Sequence, residues 1–179
     1  EFTAKIRISG DWKDHIETQN WLSSMDVSLS TGNIFGIVDF KLFLNNTKGG
    51  SSGRSEVFTS SLISELGYLA PRTSLVSVKV NDLYESNFIL QEKFTKEFLE
   101  FNNLREGPII ETEEKYFWNT NTGNPFQPED GNNILLFGKI VNENWAYANI
   151  KNLQITVEAL EKFNNAIFGS KLPASQMDY

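Results

Sequence analysis

The chain of 179 residues has no cysteine and a single histidine, His15. Disulfides, thiolate metal sites and cysteine nucleophiles are thereby excluded, and a zinc site has almost no ligands to draw on. The redox compartment stays open. No apolar run approaches the roughly 20 residues that a membrane-crossing helix needs. Positive charge is in short supply, with 16 Lys and Arg against 23 Asp and Glu and a formal net charge of -7. A field of that sign repels phosphate backbones and anionic bilayers, so no nucleic-acid partner is expected. A nucleotide remains admissible, because a local basic pocket or a metal ion overrides net charge. The opening Glu1-Phe2-Thr3-Ala4 has no initiator Met and no signal-peptide pattern, so we expect a piece of a longer protein.

What is present is ordinary for a globular chain: 40% hydrophobic and 22% charged residues. Fourteen Phe, five Tyr and four Trp supply the bulk of a core. Trp12, Trp21, Trp118 and Trp145 are read as core residues rather than ligand platforms.

Residues 3–9 alternate, with Ala4, Ile6 and Ile8 on one face and Lys5 and Arg7 on the other, which predicts a half-buried strand. A second strand is expected over 24–30 with Met25, Val27 and Leu29 inward, and a third over 34–44 with Phe40, Leu42 and Leu44 in step. The polar, glycine-rich stretch 45–53 reads as a loop. A helix should follow, capped by Ser55, carrying Phe58, Leu62 and Leu66 at helical spacing and stopping at Gly67. Residues 73–80 and 84–91 read as a hairpin around Asn81-Asp82, and 95–102 as a short helix. Residues 119–133, rich in Asn, Gly and Pro, read as a loop. A last helix is expected over 156–168 with Val157, Leu160, Asn164 and Ile167 on one side. Antiparallel strands with one inserted helix, followed by a helical part, indicate an α+β fold. The N-terminal lobe of a protein kinase has that order of elements, as do unrelated folds.

Three stretches then carry a resemblance. Leu66-Gly67-Tyr68-Leu69-Ala70-Pro71-Arg72-Thr73, with Val76-Ser77-Val78-Lys79-Val80-Asn81 and Phe88-Ile89-Leu90-Gln91-Glu92, resembles the CotH-like atypical protein kinases. There the pattern is a helix ending in Leu-Gly, an Ala-Pro-Arg-Thr-like turn, a strand ending in Val-Asn-Gly and a strand ending in Glu. Arg7-Ile8-Ser9-Gly10-Asp11-Trp12 with Asp14-His15 resembles the family's opening, and Arg105-Glu106-Gly107-Pro108-Ile109-Ile110 with Phe117-Trp118 resembles the stretch after its hairpin. Several matches in order over about 115 residues are more specific than any one of them.

The resemblance implies a kinase-like fold that binds ATP with Mg²⁺ or Mn²⁺ and phosphorylates a protein. It implies a bacterial source, with the cell envelope or secretion as candidate locations. It divides the chain into a kinase-like N-lobe over 1–118, a loop over 119–133 and the helical start of a second lobe over 134–179. In such a site a strand cation holds phosphates, a helix carboxylate orients it, and a hinge strand receives the base. The family's metal-holding Asp and Asn residues would lie past Tyr179, so the isolated chain is expected to be inactive. This sequence also departs from the family. Asp26 and Ser28 stand where relatives carry basic residues, Asn81-Asp82 replaces Asn-Gly, and Ser86-Asn87-Phe88 replaces Gly-x-Tyr. Asp26 and Ser28 favour a second reading, a non-catalytic binding or coat-structural module that retains the fold, whereas the retained Arg72, Asn81 and Glu92 favour the first.

The nucleotide-binding candidates are Lys48, Arg54, Glu56 and Glu92. Gly49 to Gly53 with Lys48 and Arg54 could cradle phosphate at a helix start, but the stretch lacks the Gly-Lys-Ser/Thr ending of a P-loop and reads rather as a plain connecting loop. Lys41 or Lys48 would be the phosphate cation and Glu56 its helix carboxylate; the alternative is solvated lysines and a dipole-favoured surface Glu. Glu92 is either a hinge-side polar group or the partner of Lys93 or Arg72. Asp11, Trp12, His15, Pro71, Arg72 and Asn81 are assigned structural parts within the motifs. Glu111, Glu113 and Glu114 could hold a cation or form a solvated face. Asn45-Asn46-Thr47 matches a glycosylation sequon. No catalytic residue and no metal ligand is assigned.

Overall fold

The computed structural model describes residues 1–9, 16–17, 22–44, 53–82, 84–113 and 137–166. It divides into two compact units, Glu1–Asn103 and Leu104–Tyr179.

The first unit is built on an antiparallel sheet. Its strands are β1 (Ala4–Ile8), β4 (Met25–Leu29), β5 (Asp39–Leu44), β6 (Thr73–Val80) and β7 (Tyr84–Glu92), in the spatial order β1-β4-β5-β7-β6. A two-residue ribbon, β2 (Ile16–Glu17) with β3 (Leu22–Ser23), lies in the β1–β4 connection. Helix α1 (Arg54–Glu65) is inserted between β5 and β6, and α2 (Lys96–Phe101) follows β7. The fold is α+β, with an inserted helix as expected from the sequence.

Strand alternation puts the core on one face of this sheet. Val27, Phe40, Leu42, Leu44, Phe88 and Leu90 are buried there with Leu22 and Ile37, and Met25, Leu29, Val76, Val78 and Val80 pack around them. The expected alternation of β4 and β5 is therefore observed. In β1 it is observed only as a pattern. Ile6 and Ile8 lie on the core face but are 62% and 66% exposed, because β1 is the outermost strand among the described residues and none of these covers its apolar side.

Three expected elements are corrected. The strand foreseen over 34–44 begins only at Asp39. Ahead of it Ile34 and Ile37 bridge each other across Phe35 and Gly36, both left-handed at φ 52° and 80°, and the Asn33 side chain accepts from the Gly36 N–H. Helix α1 starts at Arg54 with Gly53 at the N-cap, so Ser55 is inside the helix. Its end is the one the sequence predicts. Gly67 is left-handed, Gly67 N–H donates to Ser64 and Tyr68 N–H to Ile63, which is a complete Schellman stop. The Phe58, Leu62 and Leu66 stripe does not face the sheet. All three are exposed, because Ser60, not the apolar stripe, meets β6 through its hydroxyl bond to Thr73. The β6–β7 hairpin turns on Asn81 and Asp82, both left-handed at φ 54° and 58°.

In the second unit, β8 (Ile110–Glu113) pairs antiparallel with β9 (Phe137–Ile140), followed by α3 (Glu143–Ala146) and α4 (Ile150–Asn164). Helix α4 begins six residues before the expected start at 156. Asn149 is its cap, with Oδ1 accepting from Asn152 N–H at 3.0 Å. Its inward side carries Leu153, Thr156, Leu160 and Phe163, whereas Val157 is exposed. Leu160 and Phe163 sit so close to β9 that a Cβ on Gly138 would lie 3.0 and 2.9 Å from them.

Candidate functional site

The face of the first unit's sheet opposite the core carries charge. Register sets Arg7 opposite Asp26, Asp26 opposite Lys41, Lys41 opposite Gln91 and Gln91 opposite Thr73. One residue from each of the five strands thus forms a polar row across the sheet. At one end Thr73 Oγ1 lies 2.9 Å from Ser60 Oγ, which places α1 over this same face.

Asp26 is the anion of the row and is buried. Arg7 donates Nε to its Oδ2 at 2.8 Å, with Nη2 at 2.7 Å from the same oxygen. The Lys93 ammonium approaches Oδ1 at 2.9 Å, outside hydrogen-bond geometry, so that contact is ionic. Burial pushes the Asp26 carboxyl up, but Lys93 and Arg7 together outweigh it and hold it below its ordinary value. Position 26 was noted in the sequence only as a departure from a basic pattern. Its role as the point where β1, β4 and the end of β7 are tied together had no sequence signal, because Lys93 is distant along the chain.

Lys41 is the cation left over. It is half-buried, its ammonium lies 5.6 Å from the centre of the Phe43 ring, and it has no carboxylate within ion-pairing distance among the described residues. Asp26, directly opposite, is already engaged by two other cations.

The end of β7 is closed by a second ion pair on the core face. Arg72 donates Nε to Glu92 Oε2 at 2.7 Å and Nη2 to Oε1 at 2.6 Å. Its Nη1 reaches the Phe35 carbonyl at 2.7 Å, and its plane lies 3.8 Å from the Phe101 ring centre. Glu92 N–H in turn donates to the Arg72 carbonyl at 3.0 Å. Both Glu92 oxygens are committed, so its side chain joins the Ala-Pro-Arg-Thr turn to β7 rather than pointing at open space. The partner named as an alternative from the sequence, Arg72, is the one observed.

The remaining candidates are scattered. Arg54 and Glu56 occupy the exposed first turn of α1, and no ion pair joins Glu56 to Lys41 among the described residues. Pro71 offers its carbonyl to the Thr73 hydroxyl at 3.0 Å, and Asn81 serves the hairpin. Lys48, Asp11, Trp12 and His15 lie outside the described residues, as do Glu114, Trp21, Trp118 and the sequon at 45–47. In the second unit Glu111 reaches Lys139 across the β8–β9 pair at 3.4 Å, which makes it part of a solvated ion pair. Sequence reading missed Asn142, whose Oδ1 accepts from Ile109 N–H and whose Nδ2 donates to the Gly107 carbonyl, both at 2.8 Å. No group of three or more His, Cys, Asp or Glu is placed to hold a metal among the described residues.

Comparison with family models, curated proteins and solved structures returns no match for the chain.

Proposed function

We propose that this chain is the N-terminal, nucleotide-binding lobe of a CotH-like protein kinase, and that the intact protein transfers a phosphoryl group from ATP to Ser or Thr of a protein. The observation that carries this reading is Lys41. It is an ammonium without a carboxylate partner among the described residues, at the centre of the third strand of the sheet, on the face over which α1 lies. Phosphoryl transfer relies on positioning and on neutralising charge, and a strand lysine is the cation such lobes supply to the phosphates. The order of three main strands, a helix and two further strands supports the same reading.

In this proposal Lys41 carries the phosphate role, ahead of Lys48. Arg72 and Glu92 fix the end of β7, where a hinge to a second lobe would begin. The divalent metal does not fit the buried carboxylates of this unit. Asp26 is neutralised by Arg7 and Lys93, and Glu92 by Arg72. The metal ligands belong to the second lobe that the family resemblance implies, and the chain by itself is proposed to be inactive.

A second reading, a non-catalytic module that keeps the fold, is favoured by Asp26. It sets a buried carboxylate directly across from Lys41, where the resemblance leads one to expect a base. ATP binding by the intact protein separates the two. The kinase reading predicts saturable binding with Mg²⁺ present, weakened at least about tenfold by Lys41→Met without loss of thermal stability. Absence of saturable binding leaves the non-catalytic reading.

A further inference from the structure

We infer that the edge of β1, unpaired among the described residues, is a docking site for an extended peptide segment with acidic and apolar residues in alternation, added antiparallel as a further strand of the sheet. The inference is independent of the kinase reading.

The edge is defined by which backbone groups are already used. Ser30 N–H donates to the Thr3 carbonyl at 2.7 Å and Ser9 N–H to the Ser24 carbonyl at 2.8 Å. Both pairs continue the register that sets Ala4 opposite Leu29 and Ile8 opposite Met25. Antiparallel ladders alternate between bonded and non-bonded pairs. Thr3, Lys5, Arg7 and Ser9 therefore bond toward β4. Ala4, Ile6 and Ile8 turn their N–H and C=O groups away from it, and β1 ends the sheet order on that side. An added strand would find three residues' worth of backbone donors and acceptors in line.

The side chains specify the occupant. Ile6 and Ile8 present 62% and 66% of their surface on the core side of this strand. An incoming strand with apolar residues beside them extends the core by one strand. On the other side stand Lys5 and Arg7, both exposed; Arg7 keeps 79% of its side chain accessible although it pairs with Asp26. Positions opposite Lys5 and Arg7 on an added strand form non-bonded pairs, where side chains approach most closely and opposite charges stabilise. Carboxylates two residues apart on the incoming strand meet both cations.

The same charges disfavour a second copy of this chain. An antiparallel β1–β1 pairing centred on Ile6 sets Lys5 against Arg7 of the copy, and shifting it by one pair sets Lys5 against Lys5 or Arg7 against Arg7. Like charges directly opposite are destabilising. Lysine and arginine on an edge thus block self-association while selecting an acidic strand.

The test titrates the isotope-labelled chain with a synthetic peptide of alternating Glu and Val, and with a Lys–Val peptide of equal length. The expected result is saturable binding of the Glu–Val peptide alone, with exchange of the Ala4, Ile6 and Ile8 amides slowed at least about tenfold at saturation. The Lys5 and Arg7 amides, already bonded to β4, change little. Ile6→Pro removes an outward N–H that no strand among the described residues accepts, so the variant should fold and lose binding. Lys5→Glu should shift preference toward the Lys–Val peptide. Equal binding of both peptides, protection elsewhere than β1, or no binding overturns the inference. Self-association of the unliganded chain that Ile6→Pro abolishes would assign the edge to a second copy and also overturn it.

Discussion

Arg72 grips Glu92 through two parallel bonds of 2.7 and 2.6 Å while its third nitrogen holds the Phe35 carbonyl and its plane covers the Phe101 ring. One guanidinium therefore ties the turn before β5, the end of β7 and α2 to the start of β6. The Glu92 side chain is only 1% exposed, and Arg72 supplies the bonds its buried oxygens accept.

Removing Arg72 strands a buried carboxylate. Arg72→Ala should cost about 3–5 kcal/mol in denaturant unfolding. Arg72→Lys should recover only part of the loss, because an ammonium lacks the planar fork and the stacking surface. The double variant Arg72→Met with Glu92→Leu should be less destabilised than Arg72→Ala alone. A cycle showing no coupling between the two positions would contradict the assignment.

Asp26 predicts an acid-labile contribution. Its folded-state carboxyl sits below the ordinary value of 3.8, held there by Lys93 and Arg7 against the opposing effect of burial. A depressed acid contributes stability above its unfolded pKa and loses it as pH falls through the folded one. Asp26→Asn should cost about 1.5–3 kcal/mol at neutral pH, the range for hydrogen bonds to charged groups. The gap between wild type and variant should close as pH falls below 3.8. A gap that stays constant from pH 7 to pH 2 would show that the pairs contribute nothing through charge.

Gly138 predicts overpacking in the second unit. An added Cβ would meet the Phe163 ring at 2.9 Å and Ile110 and Leu160 at 3.0 Å. Gly138→Ala should destabilise this unit by about 1–3 kcal/mol, read as earlier melting of the α4 signals. Gly107→Ala is the control. Its nearest neighbour lies at 3.9 Å, so it should change little.

Much of the first unit was legible because its signals are local. Phe40, Leu42 and Leu44 alternate within a strand, Asn81-Asp82 marks a hairpin, and Gly67 stops a helix. The errors arise where tertiary partners decide. Phe58, Leu62 and Leu66 have helical spacing, yet a Ser60–Thr73 hydroxyl bond turns a different side of α1 to the sheet. Helix α4 was started six residues late because its inward stripe runs through Thr156, while Ile150, Ile155 and Val157 face outward. The site was legible in its parts. Lys41, Arg72 and Glu92 were all singled out, but which cation pairs with which carboxylate depends on strand register. Only the folded chain shows that Arg7 and Lys93 occupy Asp26 and that Lys41 has no carboxylate partner among the described residues.

The most direct test of the central claim is an amide-resolved titration of this chain with ATP and Mg²⁺. The account predicts saturable shifts at Lys41, its row neighbour Gln91 and the Glu92-Lys93 end of β7, with those shifts lost in Lys41→Met. A chain whose β5 and β7 amides stay unmoved at millimolar ATP, while its fold is intact, would contradict it.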